Sequence, residues 1–391
     1  MGRPSHDKLA LLCGKRPVWF HAVSVGEVQA AAPIIKAARD AGYTGPIILS
    51  TTTETGKAMA NKLGGGLFDL HIYYPWDRLD FVNSALDAIT PLCFVTMETE
   101  LWPNMLWALK ERGIPSFLAN GRISDRTWAR LNSPLLGKAG AQVYSLFTEL
   151  FLREERDMER MAQLGLPADK LCVPGDTKID ALLSRRDYNT VAEWHKIFGY
   201  PERAIFMSGS THPGEEEEVL AAFDILRKSV PDARLIAAPR HPERADSVLA
   251  LFEAGYNAVK LSSCEDGWDV VVVDKIGVLF ELYGVSKAAF VGGSFADKGG
   301  QNILEPVSWG VPVQYGPHME DFAEASSAFL ALGLAVQLEN GSDLGRVWTD
   351  IALGGDGGEK FKKLSDKYFS KAAGASAKIW ERISSRINSP K

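Results

Sequence analysis

The segment Gly292–Pro317, GGSFADKGGQNILEPVSWGVPVQYGP, groups the residues best suited to binding an anion. Gly292, Gly293, Gly299 and Gly300 let a backbone approach a charged ligand closely. Asn302 and Glu305 follow where a helix is expected to open, and free N–H groups at a helix start favour phosphate. Glu305, about one turn further in, is placed to accept hydrogen bonds from sugar hydroxyls. The combination suits a nucleotide-sugar better than a dinucleotide, although Gly-rich turns between strand and helix are common on structural grounds alone.

Five further stretches carry charged or hydroxyl side chains at predicted strand ends. In HAVSVGEVQAA (His21–Ala31), Glu27 sits in the first turn of a helix. Ser24 and Glu27 have the spacing of a capping box, which would satisfy helix-end donors and favour the charged carboxylate. The same carboxylate, within reach of an acceptor hydroxyl, is a general base. METELWPN (Met97–Asn104) offers Glu98 and Glu100, which strand alternation would send to opposite faces. GDTKID (Gly175–Asp180) offers Lys178, and a lone lysine is usually just solvated. SGSTHPGEEEE (Ser208–Glu218) provides the hydroxyls of Ser210 and Thr211, with glutamates that complement a helix N-terminus. In RHPER, Arg240 at a strand end suits a phosphate clamp, and Arg244 reads as a surface residue. Arg122, Arg126 and Arg130 recur every four residues around Trp128, a stripe fit for an acceptor, a membrane surface or plain solvent.

These side chains need a scaffold. Strand and helix alternate almost throughout, which calls for parallel sheets covered by helices on both faces. Buried strands are expected at 18–24, 46–52, 92–97 and 114–120, and again at 204–208, 234–238, 270–273, 288–291 and 311–315. A helical linker over about 175–202 breaks the rhythm. The architecture is α/β, with two doubly wound Rossmann-like domains facing across a cleft, over residues 1–180 and 181–391. The C-terminal helix is able to return to the first domain. Ligands of such sheets bind at the carboxyl ends of strands, where every stretch above falls.

The chain has 391 residues and a net charge of −6, which argues against a general nucleic-acid binder. Cys13, Cys93, Cys172 and Cys264 form no CxxC, pointing to a reduced compartment with neither disulfides nor a zinc site. No HxxxH, HExxH, Walker or Gly-x-Ser-x-Gly pattern is present, so neither a metal nor another cofactor is expected. No apolar run is long enough to span a bilayer, and the first residues show no signal-peptide core.

SVGE, METELWPN, GDTKID, STH-x-GEE, PRHPER, AFVGGS and GG-x-N-x-LEP, in this order from about Val18 onward, resemble the 3-deoxy-D-manno-octulosonic acid (Kdo) transferases of lipopolysaccharide assembly. The resemblance implies a GT-B fold and an inverting, metal-independent transfer of Kdo from CMP-Kdo to a lipid A precursor. It implies Glu27 as general base, with Glu98 and Lys178 as transition-state stabilisers. Pro239 and Arg240, Ile276, Gly277 and Val278, and Asn302, Ile303, Leu304 and Glu305 would contact CMP. Ser210, Thr211, Gly293 and Ser294 are further candidate donor contacts. It also implies peripheral contact with the cytoplasmic face of the inner membrane, the family's usual N-terminal apolar anchor not being evident here. Where the family commonly has Gly-Gly-His-Asn, this chain has Gly299-Gly300-Gln301-Asn302. Its Gly-Glu-Leu is here Gly277-Val278-Leu279, with Glu281 a turn later as a substitute carboxylate. Two other classes compete: a sugar-nucleotide 2-epimerase, which would turn over without acceptor, and a nucleotide-sugar-binding protein that has lost transferase activity.

Overall fold

A computed structural model describes residues 12, 14–64, 66–199, 203–354 and 357–388. Cys13, the start of the chain and the end of the expected linker (200–202) lie outside the described residues. The chain divides into two units, Met1–Ser184 with Ala372–Lys391, and Arg185–Lys371.

The first unit runs β1 (Val18–His21), α1 (Val25–Asp40), β2 (Ile47–Thr51), α2 (Glu54–Leu63), β3 (Leu70–Tyr73), α3 (Leu79–Ile89), β4 (Cys93–Met97), α4 (Pro103–Glu111) and β5 (Ser116–Gly121). It continues through α5 (Asp125–Leu131), α6 (Pro134–Ser145), β6 (Glu149–Leu152), α7 (Glu155–Gln163), β7 (Leu171–Cys172) and α8 (Thr177–Ser184). All strands of its seven-stranded sheet are parallel, in the order β3-β2-β1-β4-β5-β6-β7. Strands such as VWFH and IILST are buried at every position, as strands covered on both faces must be. The sheet holds three strands beyond the four expected. They are β3, with only four residues, β6, which opens on the buried Glu149, and β7, with two.

The second unit runs α9 (Tyr188–Phe198), β8 (Ile205–Thr211), α10 (Glu215–Ser229), β9 (Arg234–Pro239), α11 (Ala245–Glu253), β10 (Ala258–Lys260), β11 (Val270–Val272), α12 (Leu279–Tyr283) and β12 (Ala288–Val291). Then come α13 (Leu304–Ser308), β13 (Val313–Tyr315), α14 (Ala323–Leu332), β14 (Ala335–Gln337), α15 (Gly341–Leu353) and α16 (Gly357–Ala372). Its parallel sheet is ordered β10-β11-β9-β8-β12-β13-β14. The short outer strands β10 and β14 were not expected from sequence. The last helix, α17 (Ala375–Asn388), packs in the first unit. Its Ile379, Trp380 and Ile383 join Val28, Ala31 and Ile35 of α1 in that unit's core. Arg382 and Arg386 reach the fully buried carboxylate of Glu149.

Candidate functional site

In the first unit, the carboxyl ends of β1, β4 and β5 and the start of α8 gather charge. Glu27 lies in the first turn of α1 and is only 8% exposed. Its Oε2 accepts the Val23 N–H at 2.7 Å, and its Oε1 accepts the Ser24 hydroxyl at 3.3 Å. The expected capping box is therefore only half present. Ser24 is the N-cap, but its hydroxyl donates to the carboxylate and does not accept a helix N–H. The expectation that the helix start would favour the charged form is reversed. Burial pushes the Glu27 pKa up to about 7, against the Val23 hydrogen bond, and the nearby charges of Glu100 and Glu98 push the same way.

Strand alternation does not separate Glu98 from Glu100, because β4 ends at Met97. Glu98 takes a left-handed backbone conformation, φ +56°. That conformation is strained for a side chain with a Cβ, and such strain concentrates at functional sites. Glu98 bears on Glu27 and also raises the pKa of Glu100, whose burial is the larger cause. Lys178 is not merely solvated: its Nζ lies 2.5 Å from Glu98 Oε1.

The rest of GDTKID positions that lysine. Asp176 accepts the Lys178 N–H at 2.8 Å and pairs with Arg153 at 3.0 Å. The Thr177 N–H donates to Asn120 Oδ1 at 3.0 Å, and Asn120 is a second left-handed residue at a strand end, φ +56°. Asp180 accepts the N–H groups of Gly374 and Ser376, both at 2.7 Å, and so caps α17. Asn120 Nδ2 and Thr177 Oγ1 are buried with no hydrogen-bond partner among the described residues. Polar atoms buried in this way are the exception in folded proteins.

In the second unit, the candidate donor residues lie at the carboxyl ends of four neighbouring strands, β11, β9, β8 and β12. Pro239 ends β9, and the exposed Arg240 follows, its N–H donating to Thr211 O at 2.9 Å. Ser210 is left-handed, φ +59°, and Thr211 Oγ1 is buried without a partner among the described residues. Ile276, Gly277 and Val278 form the loop before α12. Ile276 is 87% exposed and Gly277 has φ +88°. His212, His241, Lys298 and Arg240 lie close enough for the last three to oppose protonation of His212, whose pKa falls mainly through burial. This cationic group is the strongest anion-binding feature of the unit. Sequence alone named only Arg240, because the others come from separate loops.

The glycine turn behaves differently from its reading in the sequence. The N–H groups of Gly293, Ser294, Phe295 and Ala296, with that of His212, all donate to the carboxylate of Glu215, at 2.7–3.2 Å. The anion that the turn cradles is thus the chain's own glutamate, the first residue of α10. A Cβ on Gly292 would meet Ser210 O at 2.6 Å and Glu215 Oε2 at 2.7 Å, so a glycine is needed for this closure. The Ser294 hydroxyl donates to Val291 O and accepts the Gly316 N–H. Gly293 and Ser294 therefore have their backbone donors, and Ser294 its hydroxyl, already engaged within the protein, and neither offers them to a donor substrate. The helix expected after the turn, α13, has only five residues. Ile303 is its N-cap, and the Leu304 N–H is taken by Asn302 Oδ1 at 3.1 Å, leaving little of the helix-start phosphate site foreseen.

Glu305 pairs with Arg185 at 3.1 Å, and burial raises its pKa against that cation. Glu281 lies near enough to add to the rise, so the carboxylate missing at Val278 has a neighbour in the same region. Arg244 is not a free surface residue, since it binds both carboxylate oxygens of the buried Glu216, at 2.8 and 3.1 Å. The ligand atoms of Asp297, His318 and Glu320 lie within 4.8 Å of one another. They form a surface cluster that sequence spacing did not reveal. No helix among the described residues is long and apolar enough to cross a membrane.

The family profile described as 3-deoxy-D-manno-octulosonic-acid transferase (kdotransferase) matches residues 2–181. A 3-deoxy-D-manno-octulosonic acid transferase from Bordetella pertussis is 32% identical over 333 residues, covering 82% of this chain and 76% of that one. A bifunctional glycosyltransferase/methyltransferase from Fusobacterium nucleatum is 32% identical over 83% of this chain, which spans 50% of that longer protein. Among solved structures, the UDP-GlcNAc 2-epimerase of Neisseria meningitidis, bound to UDP-GlcNAc, aligns over 95% of this chain and 100% of its own. Its TM-score is 0.64 at 18% identity, a likeness of fold. The two parallel α/β units are of GT-B type.

Proposed function

The chain belongs to the Kdo transferase family of glycosyltransferases, and from that premise we propose that it moves Kdo from CMP-Kdo to a hydroxyl of a lipid A precursor, inverting the anomeric centre. The observation that carries the mechanism is the Glu27 carboxyl, nearly buried, held by Val23 and Ser24, and titrating near 7. A general base works best when its pKa lies near the operating pH.

In this reading the acceptor oxygen attacks the anomeric carbon as its proton passes to Glu27. The bond from that carbon to the CMP phosphate oxygen breaks, and its electron pair leaves with CMP. Attack opposite the leaving group inverts the configuration, by the same logic as inverting glycosidases, with a sugar hydroxyl in place of water. The second unit supplies cations for the charge that grows on the phosphate: Arg240, Lys298, and His212 or His241 when protonated. Arg240 can bind two oxygens at once. The Glu98–Lys178 pair places one charge of each sign beside the base, for a transition state with a cationic sugar and an anionic leaving group. No step passes through a metal.

The test is CMP release from CMP-Kdo with and without tetraacylated lipid A precursor. Acceptor-dependent release, with a mass gain of Kdo on the lipid, is the expected result. Release or isomerisation without acceptor contradicts the reading, as does CMP binding with no turnover.

A further inference from the structure

The first unit exposes two features that the reaction does not use, on loops and helices that follow the carboxyl ends of its strands. The first is apolar. Trp76 is 64% exposed, Trp107 57% and Leu79 51%. Trp76 lies in the loop after β3, and Leu79 opens α3. Asp77 ties that loop to α4, accepting the N–H groups of Asn104 and Met105 at 3.0 and 2.9 Å, while its carbonyl accepts Asn104 Nδ2 at 2.6 Å. Trp107 lies three residues beyond Asn104 on the same helix, and such residues share a face. Three large apolar side chains are therefore held beside one another in water by a rigid anchor.

The second feature is basic. Arg126 and Arg130 project from α5, after β5. Both are exposed and have no acidic partner among the described residues. The one carboxylate of that helix, Asp125, is already paired with Arg156 at 2.5 Å and with Arg160. In the sheet, β3 and β5 flank β2, β1 and β4, so the two features are about 19 Å apart at strand spacing. Glu27 follows β1 and Glu98 follows β4, between them.

We propose that this rim is where the protein docks on an anionic lipid bilayer, with Trp76, Leu79 and Trp107 entering the headgroup region and Arg126 and Arg130 held by lipid phosphates. Tryptophan, apolar in body with one polar N–H, is enriched at membrane interfaces. Basic residues near a surface are drawn to anionic lipids. The inference rests on the proposed lipid acceptor, and it gives a physical reason for the rim to surround Glu27: docking brings the base to lipid-borne hydroxyls at the bilayer surface.

The test is co-sedimentation of the full chain with extruded vesicles of phosphatidylcholine, with or without 30% phosphatidylglycerol (about one lipid in three, so that anionic charge dominates the surface). The same preparations are assayed for transfer to a water-soluble acceptor sugar without acyl chains. The expected result is binding to the phosphatidylglycerol vesicles that weakens with salt. Arg126→Ala and Arg130→Ala should each reduce it about fivefold. Trp76→Ala with Trp107→Ala should reduce it at least tenfold, and all these variants should keep transfer to the soluble acceptor. Wild type that ignores anionic vesicles overturns the proposal, as do variants that bind like wild type. Loss of transfer to the soluble acceptor in these variants overturns it too, by placing the residues in the active site. So does a wild-type dimer, seen by sedimentation velocity, that the tryptophan variants dissociate, since the rim is then an interface between copies. Failure of wild type to use the soluble acceptor bears on the proposed reaction, and vesicle binding is read independently of it.

Discussion

Glu27 accepts two hydrogen bonds and still titrates near 7, because removing a carboxylate from water beside Glu98 and Glu100 costs more than those bonds return. Two consequences belong to this residue. Transfer should rise with pH through about 7 and level off above it, and Glu27→Gln should lower the rate by at least about 10² while leaving CMP affinity within twofold. A variant with near wild-type rate would remove Glu27 from the base role. The second consequence concerns stability. An acid with a raised folded pKa binds its proton more tightly folded than unfolded, so its ionisation destabilises the fold. That penalty is absent below the ordinary glutamate range, grows as pH rises, and is complete above about 7. Glu27→Gln should therefore be more stable than wild type at pH 8, by up to about 3 kcal/mol, and indistinguishable at pH 4. Denaturant titrations at the two pH values check the sign. For Lys178, replacement by Met should cut the turnover number by roughly 10² with little change in Tm, as its ammonium is half exposed and paired only with Glu98. A large drop in Tm with unchanged turnover would make the pair structural.

At the scale of elements, the nest around Glu215 is the most consequential piece of local structure. Five backbone N–H groups from two loops converge on one carboxylate, and Glu215→Ala would leave them without it. That substitution should cost on the order of 3 kcal/mol or more in urea unfolding, with Glu215→Gln in between. A cost below about 1 kcal/mol would mean that the loops re-form without the anchor. The sequence showed a glycine turn and a glutamate-rich helix start, but not that one holds the other, because Glu215 and Gly293 are 78 residues apart. Buried strands such as VWFH and IILST were legible as unbroken apolar runs with β-branched and aromatic residues. The short β3, β6, β7, β10 and β14 were not, since two to four residues are too few to carry a period. Glu27, Glu98 and Lys178 could be named because each follows a strand or opens a helix within a short motif. Glu100, Arg153, His212 and Lys298 could not, since only folding brings them to their neighbours.

For the molecule as a whole, the chain's last helix is part of the first unit's core, and its arginines neutralise Glu149 inside that unit. Replacing Arg382 and Arg386 together by Met leaves a buried charge with no cation, and should lower the stability of that unit by about 3–5 kcal/mol. Scanning calorimetry should then show the first unit melting earlier and the second unchanged. A single transition that shifts as one would mean that the two units unfold together. The central claim is chemical: a carboxylate of the first unit takes the acceptor's proton while the second unit holds the nucleotide. The most direct measurement is mass spectrometry of tetraacylated lipid A precursor after incubation with CMP-Kdo, using wild type and Glu27→Gln matched for CMP binding. The account predicts a Kdo mass increment on the lipid with wild type and essentially none with the variant. Equal increments from both, or none from wild type that binds CMP, would contradict it.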